Sequence, residues 1–305
     1  MKNATTAALP LVLALLGGTV LTTSNQQQRR IRIAHVTAFN PTVVALAPED
    51  QALAEENCPF GLPAKDPAWR HGPTAFVART GYALEHSSVD KIPLWVCEHV
   101  ESSELTGTAD RRDKFGPDPK LPQGQRAELS DYNASGFDRG HMAPAANQKK
   151  SQPRNNETFF LSNMAPQVGA GFNRSTWAKL EDLTRSWVKD GTVVSAWVIT
   201  GPIFDDPGEE NAATADGLIE HAVVGKDAVS VPTHFYKIVV GQTADQQLKA
   251  VAFVLENHSY AATVEFDTFV RPIDWIEERT GLNFMPGLDV AMEQQLERQA
   301  GQLFE

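Results

Sequence analysis

Cysteine is scarce: Cys58 and Cys97 are the only two in 305 residues. Neither lies in a Cys-x-x-Cys step or at the Cys/His spacing that holds zinc, which argues against a structural zinc site. They are compatible with one disulfide in an oxidising compartment and also with two unpaired thiols, Cys97 lying in the strand-like run LWVCEHV. An apolar run long enough to span a bilayer comfortably is also missing. The apolar stretch at residues 7–21 follows Lys2, contains Pro10 and is short for that purpose. No Arg precedes Arg29, which argues against an Arg-rich mitochondrial presequence, and neither an Ala-x-Ala cleavage site nor a lipid-anchoring Cys is evident. Residues 1–24 therefore read as an export signal or a retained N-terminal anchor, and the expected location is periplasmic, secreted or membrane-anchored.

Excess positive charge is missing too. The chain carries 27 Lys and Arg against 38 Asp and Glu, a net −11, which taken alone argues against a protein that coats nucleic acid generally. The charge is uneven, however. Residues 111–154 hold nine Lys or Arg against five Asp or Glu, a net +4 that leaves −15 for the rest. Such a strip suits an anionic ligand held at one place, and chance clustering on a solvated surface explains it about as well. Several catalytic signatures are absent: GxxxxGK[ST], HExxH and GxSxG do not occur, and GAGFNR lacks the third glycine of a dinucleotide loop. The acidic FDDPGEEN (204–211) does not have the ligand spacing of an EF-hand and reads as a solvated loop.

With 42% hydrophobic residues, the chain can bury one large core or two modest ones, and nothing in its composition suggests disorder, collagen or a coiled coil. Residues 25–57 read as a linker and variable segment ending in a short acidic helix, PEDQALAEEN. Residues 79–100 carry two β-rich runs separated by a polar loop, a hairpin signal. Residues 101–136, rich in Pro, Gly and charge, read as loop. ETFFLSN (157–163) predicts a short strand, and 173–191 a helix whose Trp177, Leu180, Thr184, Trp187 and Val188 share one face, with Gly191 to end it. Strand-like runs follow at 193–204, 221–225, 232–241 and 249–257, then helices at 271–282 and after residue 288. This predicts an α+β domain over residues 58–305, a mostly antiparallel central sheet with flanking helices.

The stretch FDRGHMAPAAN (137–147) sets Asp138, Arg139 and His141 around Gly140. Such groups are costly to bury unless paired, and a solvated turn with a chance histidine is the plain alternative. Two further polar clusters follow: LSNMAPQ, with Asn163, and GFNRSTWAKLE, with Asn173 and Glu181. Asn173 stands where an asparagine would cap the helix. Glu181 lies eight residues on, roughly 80° round a helix, so both side chains can approach one site.

DRGHMAPAAN, TFFLSNMAPQ and FNRSTWAKLE, in that order, resemble the DNA/RNA non-specific endonuclease family, and supporting stretches extend the likeness over roughly residues 59–288. The resemblance implies a ββα-metal fold, in which a hairpin and a helix clamp one hydrated divalent ion. It implies His141 as general base, Asn173 as the direct Mg²⁺ ligand, with Mn²⁺ as a substitute, and Glu181 as the carboxylate holding metal-bound water. Asn163 corresponds to a supporting active-site asparagine, Arg139 to the motif arginine, and Arg111 to the phosphate-binding arginine, with Arg112 one position away. The sequons NAS, NET and NRS are discounted, since the last would modify Asn173. Partners implied are DNA and RNA, gripped through phosphates and so read without sequence preference; a homodimer and a protein inhibitor are left open. An unperturbed histidine titrates at about 6.5, so a rate falling below about pH 6 is expected. The alternative from another class is a catalytically silent nucleic-acid-binding protein of the same fold, marked by loss of His141, Asn173 or Glu181; all three are present. A small-nucleotide phosphodiesterase is a second alternative.

Overall fold

The computed structural model describes residues 27–32, 46–66, 72–210 and 218–304; the expected signal at 1–24 lies outside them. The strands, in chain order, are β1 (Gln27–Arg32), β2 (Ala64–Lys65), β3 (Thr74–Arg79), β4 (Tyr82–Ser87), β5 (Pro93–Val100), β6 (Phe137–His141) and β7 (Met164–Val168). They continue with β8 (Ser195–Ile203), β9 (Leu218–Val224), β10 (Val229–Ser230), β11 (His234–Gln242), β12 (Leu248–Glu256) and β13 (Leu282–Asn283). The helices are α1 (Pro48–Asn57), α2 (Ser102–Leu105), α3 (Gln152–Glu157), α4 (Ala178–Lys189), α5 (Ile273–Thr280) and α6 (Val290–Glu297). No helix among the described residues is long and apolar enough to cross a membrane.

A six-stranded sheet in the order β12-β11-β8-β5-β4-β3 organises the chain, antiparallel at every step. Its strands are rich in Val, Ile, Phe and Tyr, residues that suit a pleated buried surface. Successive side chains alternate between two cores. Leu84, Val96, Val198, Phe235 and Val239 enter one. Ala83, Trp95, Cys97, Ile199, Tyr236 and Ile238 enter the other, which α5 and α6 cover through Ile273, Ile276 and Leu296. Helix α5 stops at Gly281, whose φ of 66° closes it in the left-handed conformation that glycine adopts without a Cβ penalty.

Between β5 and β8 the chain makes a long excursion. It carries an antiparallel ribbon of β6 and β7, with Asp138 opposite Gln167 and His141 opposite Met164, followed by α4. The first core contains Met142, Met164, Phe172, Trp177 and Leu180, so this hairpin-and-helix unit sits on that face of the sheet.

Several expectations change. FDRGH, for which a solvated turn was the plain alternative, is a strand. ETFFLSN is not a strand: it spans the end of α3 and a short turn at Leu161–Asn163, and the strand begins at Met164. β7 tolerates Pro166 because the ribbon has only two strands, so a missing N–H leaves no neighbour unpaired on a third. Residues 101–136 are mostly irregular but contain α2 and a short turn at Leu129–Tyr132. QQRRIR, expected in the linker, pairs along β9 as β1, and α1 lies against β3, β4 and β5. Cys58 and Cys97 are both buried and both free, so the disulfide is not formed. Burial and the adjacent Cys97 hold the Cys58 thiol well above the ordinary range.

Candidate active site

His141 ends β6 and is almost wholly buried, 8% exposed, with its Nε2 lacking a hydrogen-bond partner among the described residues. Its ring meets Phe159 and Phe115 edge-on, with centroids 5.1 and 5.7 Å away. Burial first, then the nearby Arg111 charge, push its pKa down to about 3. The ring is therefore neutral at neutral pH and retains a lone pair. This moves the acid limb expected near pH 6 to lower pH, because the sequence gives no sign that the histidine is desolvated.

Asn163 fixes the strand end. It is fully buried: its side-chain oxygen accepts from Ala143 N (2.9 Å), and its nitrogen donates to the carbonyls of Ala143 and Thr158 (both 2.9 Å). Its own carbonyl accepts from Met142 N (3.0 Å). All of its side-chain bonds go to backbone, so it holds the two residues that follow His141.

Both expected arginines come to the same aromatic pair. The Arg111 guanidinium lies 5.2 Å from the Phe159 ring centre and that of Arg139 4.3 Å from Phe115, within cation–π range. Arg111 is exposed, with Asp113 at 2.7 Å, and its charge is felt at both His141 and Glu181. No such influence is recorded for Arg112. Of the basic strip, Arg126 and Arg154 with Lys120 and Lys150 are engaged in ion pairs, while Arg112, Lys114 and Lys149 are exposed.

Asn173 is no helix cap. Residues 169–177 approach α4 through a widened turn in which Ala170 (ψ 134°) and Gly171 (φ 79°) leave helical geometry. Such wide turns recur at functional sites. Asn173 Nδ2 donates to Asp138 Oδ2 (2.9 Å), and Arg174 Nε reaches the same oxygen at 3.0 Å. Asp138 thus ties the ribbon to the helix and orients the amide, and among the described residues no donor meets the Asn173 side-chain oxygen. Glu181 is half-buried on α4; burial raises its pKa against the lowering pull of Lys237, Arg185 and Arg111. An amide oxygen on the widened turn with a carboxylate on the helix that follows it is a hard, all-oxygen donor set of the kind that suits Mg²⁺.

Beneath α4 lies a buried polar layer. Lys237 Nζ donates to Thr200 Oγ1 (2.7 Å) and stands 5.0 Å over the Trp177 ring. Burial pulls its pKa down, opposed by Glu181 and Glu98. Glu98, pushed up to about 7 by burial, accepts from Asn147 Nδ2 (2.8 Å) and Gln148 Nε2 (3.3 Å), and Arg185 Nη1 donates to Asn147 Oδ1 (3.0 Å). The sequence reading missed Asp138 as a tether, the Phe115–Phe159 pair and Lys237. A lone lysine inside the apolar run HFYKIVV was the available signal for the last.

A six-stranded antiparallel sheet bearing a ribbon-then-helix site is the ββα-metal architecture, and the comparisons agree. The pattern of the DNA/RNA non-specific endonuclease family matches residues 71–291. A nuclease of Syncephalastrum racemosum is 41% identical over 72% of this chain and 70% of its own. Human mitochondrial endonuclease G is 35% identical over 75% of this chain and 73% of its own. A crystal structure of the EndoG/EndoGI complex superposes with a TM-score of 0.69 at 32% identity, covering 77% of this chain and 92% of that one. The chain belongs to the DNA/RNA non-specific endonuclease family and is a phosphodiester hydrolase.

Proposed function

We propose that the protein hydrolyses DNA and RNA endonucleolytically, without sugar or sequence preference, with His141 as general base and one hydrated Mg²⁺ on Asn173. The observation that carries this reading is the buried, neutral His141, its Nε2 unpartnered, beside two arginines stacked on the same aromatic pair. A phosphodiester resists attack because its anion repels hydroxide and its leaving alkoxide is poor. His141 Nε2 takes the proton of the attacking water, and the Arg111 guanidinium meets the phosphate oxygens and the charge that grows on them. Arg139 adds positive charge from the other side of the aromatic pair. Asn163 keeps the histidine strand in place, and Asp138 keeps the Asn173 amide turned. The ion would be held by the Asn173 oxygen, with Glu181 orienting its waters. When bound, Mg²⁺ or Mn²⁺ supplies Lewis acidity to a non-bridging oxygen and to the departing one. None of these groups faces a base edge in a way that would read sequence, and the exposed Arg112, Lys114 and Lys149 favour capture through phosphates.

Export, with residues 1–24 as signal or anchor and 25–57 preceding a nuclease domain at 58–305, belongs to the same proposal; so do a homodimer and a protein inhibitor as partners. The similar human protein is described as mitochondrial, and EndoGI accompanies EndoG in the similar structure. The test is cleavage of plasmid and of long RNA before and after metal removal. Both substrates should be cut at many sites, activity should vanish with EDTA and return with Mg²⁺ or Mn²⁺, and rising salt should weaken capture. Undiminished cleavage after exhaustive chelation would overturn the mechanism. Tight binding with no cleavage by the metal-loaded wild type would leave a binding protein instead.

A further inference from the structure

The face of the sheet remote from His141 carries a second group of acids. Asp274 and Glu277 lie one turn apart on α5, and Glu297 ends α6. Each offers an oxygen, and the three lie within 4.8 Å of one another. Glu297 is only 4% exposed, and among the described residues its Oε1 accepts from no N–H or O–H donor, the carboxyl of Glu277 being its polar neighbour. Glu277 is held in place from outside the group: its Oε1 accepts from Phe284 N (2.8 Å). Glu293, one turn before Glu297, accepts from Asn283 Nδ2 (2.8 Å) and adds its charge to both. Among the described residues, no Lys or Arg forms an ion pair with any of the four. The nearest guanidinium in sequence, Arg279, is committed to Asp205 (3.2 Å) and stacked on Trp275 (3.5 Å).

We propose that Asp274, Glu277 and Glu297 form a Ca²⁺ site, joined by Glu293 at its edge. Carboxylates gathered at low exposure without a counter-ion must be neutralised, by protons or by a cation. The donors are oxygens alone, which selects a hard cation. Ca²⁺ binds oxygen at about 2.3–2.6 Å, so two ligands of one ion are spaced by up to about 4.6–5.2 Å. Mg²⁺ demands a near-ideal octahedron and dehydrates reluctantly, whereas Ca²⁺ accepts the irregular, carboxylate-rich shell that two helices can supply. Asp274 and Glu277 are half-exposed, so water can complete the six to eight ligands Ca²⁺ takes. A bound ion would clamp α5 to α6 over the second core.

The full chain is melted with and without millimolar CaCl₂ and with no other metal. Wild type and the Asn173→Ala variant are compared, the second lacking the proposed catalytic ligand so that the two sites cannot be confused. Both should gain about 5 °C, the size expected when ligand greatly exceeds its Kd. Glu297→Gln and the half-exposed Asp274→Asn should each lose most of that gain, while their cleavage rates at saturating Mg²⁺ and 25 °C stay at wild-type level. Should Glu297→Gln fail to fold, Asp274→Asn decides. Absence of a Ca²⁺ shift in Asn173→Ala, with stability responding only to acidification, would mean that the acids share protons and would overturn the site. A shift undiminished in Glu297→Gln and Asp274→Asn would place Ca²⁺ elsewhere and overturn it too.

Discussion

On the face of the sheet that carries the candidate site, Glu98, Thr200 and Lys237 interrupt the apolar row on three neighbouring strands, β5, β8 and β11. On the opposite face the corresponding row, Trp95, Cys97, Ile199, Tyr236 and Ile238, is unbroken. Buried polar groups cost free energy unless satisfied. The chain accepts that cost where a polar layer supports α4, the helix that carries Glu181, and keeps the far face apolar under α5 and α6. The acids of the far face sit between those helices, away from the strand row. One face holds chemistry and the other holds the fold.

The largest test of that division is His141→Ala. Loss of a general base alone should lower single-turnover cleavage roughly 10²–10⁴-fold, with melting temperature and substrate affinity close to wild type. Near-normal cleavage by a folded His141→Ala protein would remove the histidine from the mechanism. The matching change on the far face is Ile276→Ala. It empties a fully buried side chain of α5 and should cost about 2–5 kcal/mol in denaturant unfolding, while the folded fraction cuts at the wild-type rate. A rate deficit in that fraction would show that the faces are not separable.

Asp138→Ala is the intermediate case. It cuts the tether on Asn173 without touching His141, so activity should fall about 10–100-fold, the usual cost of losing a group that orients a metal ligand. The metal concentration needed for half-maximal rate should rise. Full recovery in Asp138→Asn would show that the carboxylate charge is not required.

The smallest effect is in pH. His86 is fully buried within reach of the Asp118 charge, and burial pushes its pKa down to about 4, against about 6.5 when unfolded. Between those values the unfolded chain takes up a proton that the folded chain refuses. Stability present above about pH 6.5 is therefore lost as pH falls toward 4, on the order of 2 kcal/mol at pH 5. Glu277 and Glu297 work in the opposite sense. Their raised values stabilise the metal-free fold below the ordinary carboxylate range, and that stability is lost as pH rises through about 7 and about 9. Comparing the pH 7-to-5 change in unfolding free energy of wild type and His86→Leu isolates the histidine: the variant should lose less. Equal losses would discard it.

Much of this was legible in the sequence. The three motif segments gave every candidate side chain but Arg111, and the β-rich runs gave most of the large sheet, because strand composition and helical spacing are local signals. What stayed hidden is relational. FDRGH looks like a turn since polar residues conceal a period of two, and only pairing with β7 makes it a strand. TFFLSN looks like a strand, but Asn163 spends its side chain on backbone groups and bends the chain there. The Asp138–Asn173 bond joins residues far apart in sequence, and the depressed histidine depends on two phenylalanines from separate loops.

Every candidate side chain, from Arg111 to Glu181, lies on the excursion between β5 and β8. A chain emerging N-terminus first has therefore synthesised all of them when only β3, β4 and β5 of the six-stranded sheet have been made. β8 must still cross back to pair with β5, a closure whose entropic cost grows only slowly with loop length but which cannot begin until Ser195–Ile203 has been made. Thr200 and then Lys237 arrive later still, completing the layer under α4. An unfinished chain thus carries its candidate site residues without the floor that holds them.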